Sequence, residues 1–151
     1  MPVLFDKMNL KDQTEIVVLN APASFEPELA ALAGINIVRQ AGKAKAIRFG
    51  LAFALTRAEL DKASQAFASK AEGDAVLWFA YPKGSSKKYR CEFNRDAGWS
   101  ILGAAGFEPV RMVAVDEDWS AVRFRRVEYI ATMTRGREHR ISKAGRKRAP
   151  D

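Results

Sequence analysis

The sequence contains a single cysteine and a single histidine, and neither lies in a pattern typical of catalysis or metal binding. Cys91 alone can form no internal disulfide and no multi-cysteine metal site, which is typical of a reducing compartment. His139 lies in a basic tail, where it is poorly placed to activate a nucleophile. No apolar run approaches the roughly 20 residues needed to cross a bilayer, and no signal peptide is recognisable. We therefore predict a cytoplasmic, soluble protein.

Glycine is missing where a nucleotide cofactor would need it. Residues 16–19 form a short apolar run typical of a buried strand, and the turn that follows, residues 20–24, has no glycine and contains Pro22. After the next predicted strand, where nucleotide-binding sheets carry an acid for the ribose, the chain has Arg39 and Gln40. We predict no cofactor and no catalytic residue. Asp116, Glu117 and Asp118 lack EF-hand spacing, so we also predict no metal site.

The positive charge is concentrated at the end of the chain. Residues 135–151 hold seven of the 25 Lys and Arg residues but only two of the 18 acids. The segment has one large aliphatic residue and no aromatic, so we predict one α/β domain over residues 1–134 and a disordered basic tail over 135–151. A basic arm can bind nucleic acid by neutralising phosphates, although charge runs are more often solvated. The arm residues are Arg135, Arg137, Arg140, Lys143, Arg146, Lys147 and Arg148.

Hydrophobic periodicity predicts alternating strands and helices in the body of the chain. Predicted strands cover residues 16–19, 35–38, 46–55, 76–80, 110–115 and 121–130. Ser24 is the expected cap of a helix over 26–33, Thr56 and Glu59 form a capping box that begins the next helix, and Gly73 is expected to end it. Between residues 46 and 55 large residues alternate with small ones, which would let a helix lie close to the strand. A third helix carries Trp99, with Asn94 or Asp96 as its cap.

This order of elements predicts a three-layer, Rossmann-like, mostly parallel sheet that ends in an antiparallel hairpin, since the last two strands are joined by a short turn. The order resembles that of a shortened class I methyltransferase. The resemblance is one of order and not of motif, so it carries no chemistry by itself.

The segment from Leu77 to Phe124 contains all three tryptophans, the loop Pro-Lys-Gly-Ser-Ser-Lys-Lys and the turn Asp-x-x-Trp-Ser. Together with Val-Leu-Asn-Ala-Pro at residues 18–22, it resembles a bacterial family catalogued as domain of unknown function 3052. The resemblance covers roughly residues 5–124, draws attention to Pro82, Lys83, Asp116, Trp119 and Ser120, and implies no activity.

The lysine loop, residues 82–88, leaves the carboxyl end of a predicted central strand and leads toward a helix start. Ligands of open α/β sheets usually lie at that edge, and lysines, hydroxyls and a helix start suit an anion. A solvated polar loop is the alternative interpretation. Trp119 and Ser120 either order the hairpin turn by packing and hydrogen bonding or wall a pocket. The hypothetical ligand-binding residues are Lys83, Ser85, Ser86, Lys87, Lys88, Asp96, Trp119 and Ser120.

The leading hypothesis from the sequence is a non-catalytic module that binds an anionic partner, above all nucleic acid, through the lysine loop and the basic arm. One alternative is an enzyme acting on a small phosphorylated or anionic substrate anchored by Lys83, Ser85 and Lys87. Another is a protein-interaction scaffold or homodimer built on an edge hairpin, which Arg123, Arg125 and Arg126 would guard against further pairing.

Overall fold

A computed structural model describes residues 3–91, 93 and 99–130 of the chain. Its helices and strands are, in chain order, α1 (Val3–Lys7), β1 (Glu15–Leu19), α2 (Glu26–Ala30), β2 (Asn36–Val38), β3 (Ile47–Phe53), α3 (Arg57–Lys70), β4 (Ala71–Pro82), α4 (Ser100–Ala104), β5 (Phe107–Ala114) and β6 (Trp119–Arg126). Short 3₁₀ turns cover Ala23–Phe25, Ala41–Lys43 and Val127–Tyr129. The basic arm and Asp96 lie outside the described residues, as does His139.

The six strands form one sheet in the order β2-β1-β3-β4-β6-β5. The first four strands are parallel, and β6 runs antiparallel to both β4 and β5. The predicted α/β class, a mostly parallel Rossmann-like sheet with a C-terminal antiparallel hairpin, is confirmed. The sheet order reverses between β1 and β3, because β2 lies on one side of β1 and β3 on the other.

Each face of the sheet has its own buried apolar cluster, which makes the three layers. One cluster joins α3 and α4 to the sheet through Phe67, Leu102 and Phe79. The other joins the segments around α1 and α2 to the opposite face through Phe5, Phe25 and Phe49. The strands of the centre are buried on both faces, which explains why they read as nearly continuous apolar runs. No helix in the described part of the chain is both long and apolar enough to span a membrane.

Three local predictions are wrong. Ser24 caps no helix: it lies within a 3₁₀ turn, and α2 begins without a side-chain cap. Gly73 does not end α3, because the helix ends at Lys70 and passes directly into β4, where Gly73 adopts a φ of 58°. The hairpin strand β6 is an interior strand, so Arg125 and Arg126 do not guard an edge; they contact Asp74 and the carbonyls of Gly73 and Ala71.

Candidate functional site

The lysine loop and the hairpin turn, which are far apart in the sequence, meet at the carboxyl end of β4. The Lys83 amide donates to the Asp118 carbonyl at 2.8 Å, directly after the last strand pair, Pro82 with Trp119. The Ser86 hydroxyl donates to Asp118 Oδ1, also at 2.8 Å. The loop is therefore tied to the turn by one backbone and one side-chain hydrogen bond.

Ser86 orders the loop rather than facing a ligand. While its hydroxyl donates to Asp118, it also accepts from the amides of Lys88 and Tyr89 at 3.2 and 3.1 Å. A hydroxyl has one donor and two acceptor sites, so these bonds use all of its capacity. Its neighbours Ser85, Lys87 and Lys88 are exposed, and Lys83 is partly exposed. Lys88 places its ammonium 5.7 Å from the centre of the Tyr89 ring.

Asp116 orders the hairpin turn. Its Oδ1 accepts from the amides of Asp118 at 2.8 Å and Trp119 at 2.9 Å. This is the turn bonding that the sequence suggested for Ser120, which instead lies in β6 opposite Tyr81. Asp116 is thus held by backbone amides and Asp118 by the Ser86 hydroxyl, and the described residues contain no cluster of three metal-binding side chains.

Trp119 is buried between the end of β3 and the lysine loop. It is 3% exposed and packs edge-on against Phe53, with ring centres 5.1 Å apart, and against Tyr89 at 5.0 Å. Its indole Nε1 is shielded from solvent and has no hydrogen-bond partner among the described residues. Buried indole nitrogens usually find a partner, so this donor is unusual in having none among the described residues.

A cavity of about 490 Å³ lies under the lysine loop, at the carboxyl end of β4. We call it the β4 pocket and define it by three aromatic rings, two cations and the thiol: Tyr81, Tyr89, Phe93, Lys83, Arg90 and Cys91. Tyr81 and Phe93 form one wall, with ring centres 6.2 Å apart. Tyr89 stands on the other side and separates the pocket from Trp119.

The edge between β1 and β3, where the strand order reverses, is arranged differently from the β4 pocket. Ligands of open α/β sheets usually enter the crevice at such a reversal. Here Asn20, with a φ of 58°, donates from Nδ2 to the Phe53 carbonyl at 3.3 Å, so its side chain ties β1 to β3 across the crevice. The buried ring of Phe25 follows in the next turn, 4.9 Å from the Phe53 ring.

The residue after β2 is held in an ion pair. Both terminal nitrogens of Arg39 contact the Glu26 carboxylate, at 2.9 and 2.7 Å. The hydrogen bond from Arg39 is the main reason that the pKa of Glu26 is lowered, and the same bond raises the pKa of Arg39. The guanidinium is thus engaged by the first residue of α2.

Comparison with solved structures identifies methyltransferases as neighbours of this fold. One is a SAM-dependent methyltransferase from Aquifex aeolicus, at 13% identity and a TM-score of 0.54, matched over 82% of this chain and 88% of that one. Another is the N-methyltransferase NodS from Bradyrhizobium japonicum WM9, at 10% identity and 0.52, over 82% and 92%. A third is magnesium protoporphyrin IX methyltransferase from Synechocystis PCC 6803 with bound SAH, at 13% and 0.50, over 82% and 78%.

At these identities the likeness shows the fold alone. No protein-family model matches the chain, and no curated protein matches it either. The resemblance to the family of unknown function therefore stays a prediction.

These neighbours contradict the function predicted from the sequence. The predicted non-catalytic module that binds nucleic acid or another anionic partner is contradicted, because the solved structures that match the fold are described as methyltransferases. The basic arm on which that prediction partly rested lies outside the described residues. The homodimer hypothesis stays a prediction: the β5–β6 hairpin does lie at one edge of the sheet, but through β5 and not through β6.

The residues present do not fit S-adenosylmethionine at the β1–β3 edge. A nucleotide-type cofactor needs a turn that brings backbone amides close to it, but Pro22 has no amide hydrogen and the Asn20 side chain crosses the crevice. Where an acid would hold ribose hydroxyls, the chain has Arg39, which is occupied by Glu26.

Among the residues that the sequence singled out, the structure brings together Lys83, Ser86, Asp118 and Trp119. The sequence analysis did not identify Tyr81, Tyr89 and Phe93 as a group. A signal was present: two aromatic residues follow the lysine loop and one precedes it. Only the crossing of the loop over the sheet edge shows that they surround one space.

Proposed function

We propose that this protein binds a planar aromatic small molecule in the β4 pocket. The observation that carries the proposal is the cavity itself, whose volume of about 490 Å³ falls within the range of roughly 300–1,000 Å³ typical of small-molecule sites. Its position at the carboxyl end of a parallel strand is where open α/β sheets bind their ligands.

The lining favours an aromatic ligand over an aliphatic one. Tyr81, Tyr89 and Phe93 offer ring faces and edges for stacking. The cationic groups of Lys83 and Arg90 also line the space, and cations interact favourably with the faces of aromatic rings. The free Nε1 of Trp119, behind Tyr89, adds a hydrogen-bond donor for a ligand that displaces the tyrosine ring.

The neighbours' methyl transfer supports a small-molecule ligand for this chain, because an enzyme fold of this kind has to hold a substrate at its sheet edge. Their cofactor is not part of the proposal, since the β1–β3 edge does not fit it. The cytoplasmic location predicted from the single cysteine remains part of the proposal.

Titration with indole and 1-naphthol, followed by ¹H–¹⁵N NMR, tests the proposal. We expect shifts in residues 81–91 and in Trp119, saturating with ligand concentration. Tyr89→Ala removes one wall and should weaken binding at least several-fold. The matched control is Tyr129→Ala, because Tyr129 is 41% exposed and lies outside the pocket.

Two outcomes would overturn the proposal. One is the absence of saturable shifts with either compound. The other is a set of shifts centred on Asn20, Phe25 and Arg39, which would place the ligand at the β1–β3 edge. A parallel titration with S-adenosylmethionine should leave those three residues unshifted.

A further inference from the structure

Three arginines lie on neighbouring positions of β5 and β6, and none of them lines the β4 pocket. We call Arg111, Arg123 and Arg125 the arginine patch. Arg111 is directly opposite Arg123 in the strand register. Like charges directly opposite each other on antiparallel strands are destabilising. A negatively charged group nearby would therefore offset the repulsion between Arg111 and Arg123.

Two carboxylates lie beside the patch: Asp74, and the buried Glu108, which is directly opposite Arg125 in the strand register. Asp74 accepts from Arg125 Nε at 2.8 Å through Oδ1 and from the terminal nitrogen at 2.6 Å through Oδ2. The bidentate pair lowers the pKa of Asp74 and raises the pKa of Arg125. Both of these hydrogen bonds come from Arg125, and Asp74 makes none with Arg123.

Arg123 is left without a partner among the described residues. It is half-buried, and its Nε is shielded from solvent with no hydrogen bond. Burial is the main cause that lowers its pKa, followed by the charge of Arg125; Asp74 opposes the shift and Arg111 adds to it. An unsatisfied buried polar group in a native structure needs an explanation, and a bound ion is one such explanation.

We infer that the arginine patch binds a tetrahedral oxyanion such as phosphate or sulfate. Guanidinium groups present planar forks of N–H donors that match the oxygens of such an ion. Arg123 would donate from its guanidinium group, and the exposed Arg111 would close over the ion from the edge strand β5. The ion would also relieve the repulsion between the two arginines. Arg126 is not part of this site, because it bonds the carbonyls of Gly73 and Ala71.

The site is separate from that of the proposed aromatic ligand, because none of its three arginines lines the β4 pocket. The arginines would recognise the tetrahedral oxygens of the anion, whether the anion is free or part of an ester. Inorganic phosphate and phenyl phosphate distinguish a free ion from a phosphate ester, and either one would support the inference.

Thermal unfolding with increasing sulfate, phosphate or phenyl phosphate tests the inference, with sodium chloride keeping the ionic strength constant. For the wild type we expect Tm to rise with the logarithm of the anion concentration once the site begins to fill. Arg123→Gln and Arg111→Gln should each remove most of this rise. Arg48→Gln is the matched control, since Arg48 is an exposed strand arginine elsewhere in the sheet and should leave the rise unchanged.

Arg111→Gln keeps the test valid if Arg123→Gln fails to fold, because Arg111 is exposed. Without the oxyanion, Arg111→Gln should not lower Tm, since it removes a repulsive neighbour of Arg123. A wild-type Tm that does not respond to any of the three anions would overturn the inference. An equal rise in wild type and Arg111→Gln would do so as well.

Discussion

Gly50 shows how a single residue sets the distance between a strand and a helix. A Cβ atom at this position would lie 2.8 Å from Cε2 of Phe67, the ring through which α3 packs on β3. The alternation of large and small residues in this strand predicted such a close approach, and the structure confirms it. The contact depends on the missing side chain and not on backbone freedom, because Gly50 has no positive φ.

Gly50→Ala should lower the free energy of unfolding by about 1–3 kcal/mol, because the added methyl group overpacks the core against a fully buried ring. Urea denaturation measures the change. Gly42→Ala is the control, since nothing lies within 4 Å of a Cβ there. An equal loss of unfolding free energy in the two variants would show that the close contact with Phe67 does not restrict the size of residue 50.

The start of α3 follows from the sequence in the most detail, since both residues of its capping box were predicted. Thr56 accepts from the Glu59 amide at 3.1 Å, and Glu59 Oε1 accepts in return from the Thr56 amide at 3.1 Å. This reciprocal pattern is local in sequence, so it could be recognised without tertiary information. The cap at Ser24 was inferred from residue type alone, and the tight 3₁₀ turn at Ala23–Phe25 took its place.

Thr56→Ala should therefore cost about 1 kcal/mol of stability, since it removes the acceptor of the Glu59 amide. Ser24→Ala should be close to neutral, because Ser24 is exposed and makes no capping bond. Urea denaturation of both variants measures the difference. A loss at Ser24 as large as that at Thr56 would contradict the assignment of caps.

The junction of β4 and β6 depends on the ionisation of Asp74. Its pKa is lowered in the folded protein, chiefly by the hydrogen bond from Arg125, so the charged pair contributes stability above the unfolded pKa near 3.8. This contribution is lost as pH falls through the lower folded pKa. Asp74→Asn should thus be less stable than wild type at pH 6, and this difference in stability should begin to narrow below about pH 4.

Unfolding in urea between pH 6 and pH 2.5 measures that difference. Arg125→Gln should remove the same pH-dependent difference, because it deletes the partner that lowers the pKa of Asp74. A gap between wild type and Asp74→Asn that stays constant across this range would contradict the assigned role of the pair.

At the scale of the whole molecule, a buried hydrogen bond joins the N-terminal segment to the centre of the sheet. Trp78 Nε1 donates to the Met8 carbonyl at 2.8 Å, and both residues are fully buried. The two partners are separated by 70 residues, so no local sequence pattern predicts the bond. It explains why α1, which the periodicity did not predict, packs against the face opposite α3.

Trp78→Phe should be less stable than Trp119→Phe by about 1–3 kcal/mol, because it leaves the Met8 carbonyl buried without its donor. Trp119→Phe removes a similar volume but no hydrogen bond among the described residues. Guanidinium denaturation of the two variants measures the difference. Equal stability would show that the indole bond contributes little beyond packing.

Several features could be read from the sequence because they depend on neighbouring residues. The strand pattern of β1, β3 and β4, the capping box of α3 and the stop at Pro82 each follow from spacing or backbone chemistry. The lack of glycine after β1 could also be read from the sequence, and the expectation of no nucleotide there stays a prediction. The boundary at Gly73 failed because tertiary pairing extended β4 back to Ala71, opposite Ile47.

The sequence by itself determined the class of the fold, because periodicity and turn residues act over short distances. Only the tertiary structure decided what its unusual residues do. It placed Ser86 on Asp118 as a loop anchor, gathered Tyr81, Tyr89 and Phe93 around one cavity, and set Arg111 opposite Arg123. These relations depend on strand order and register, which arise when the whole sheet pairs and buries both faces.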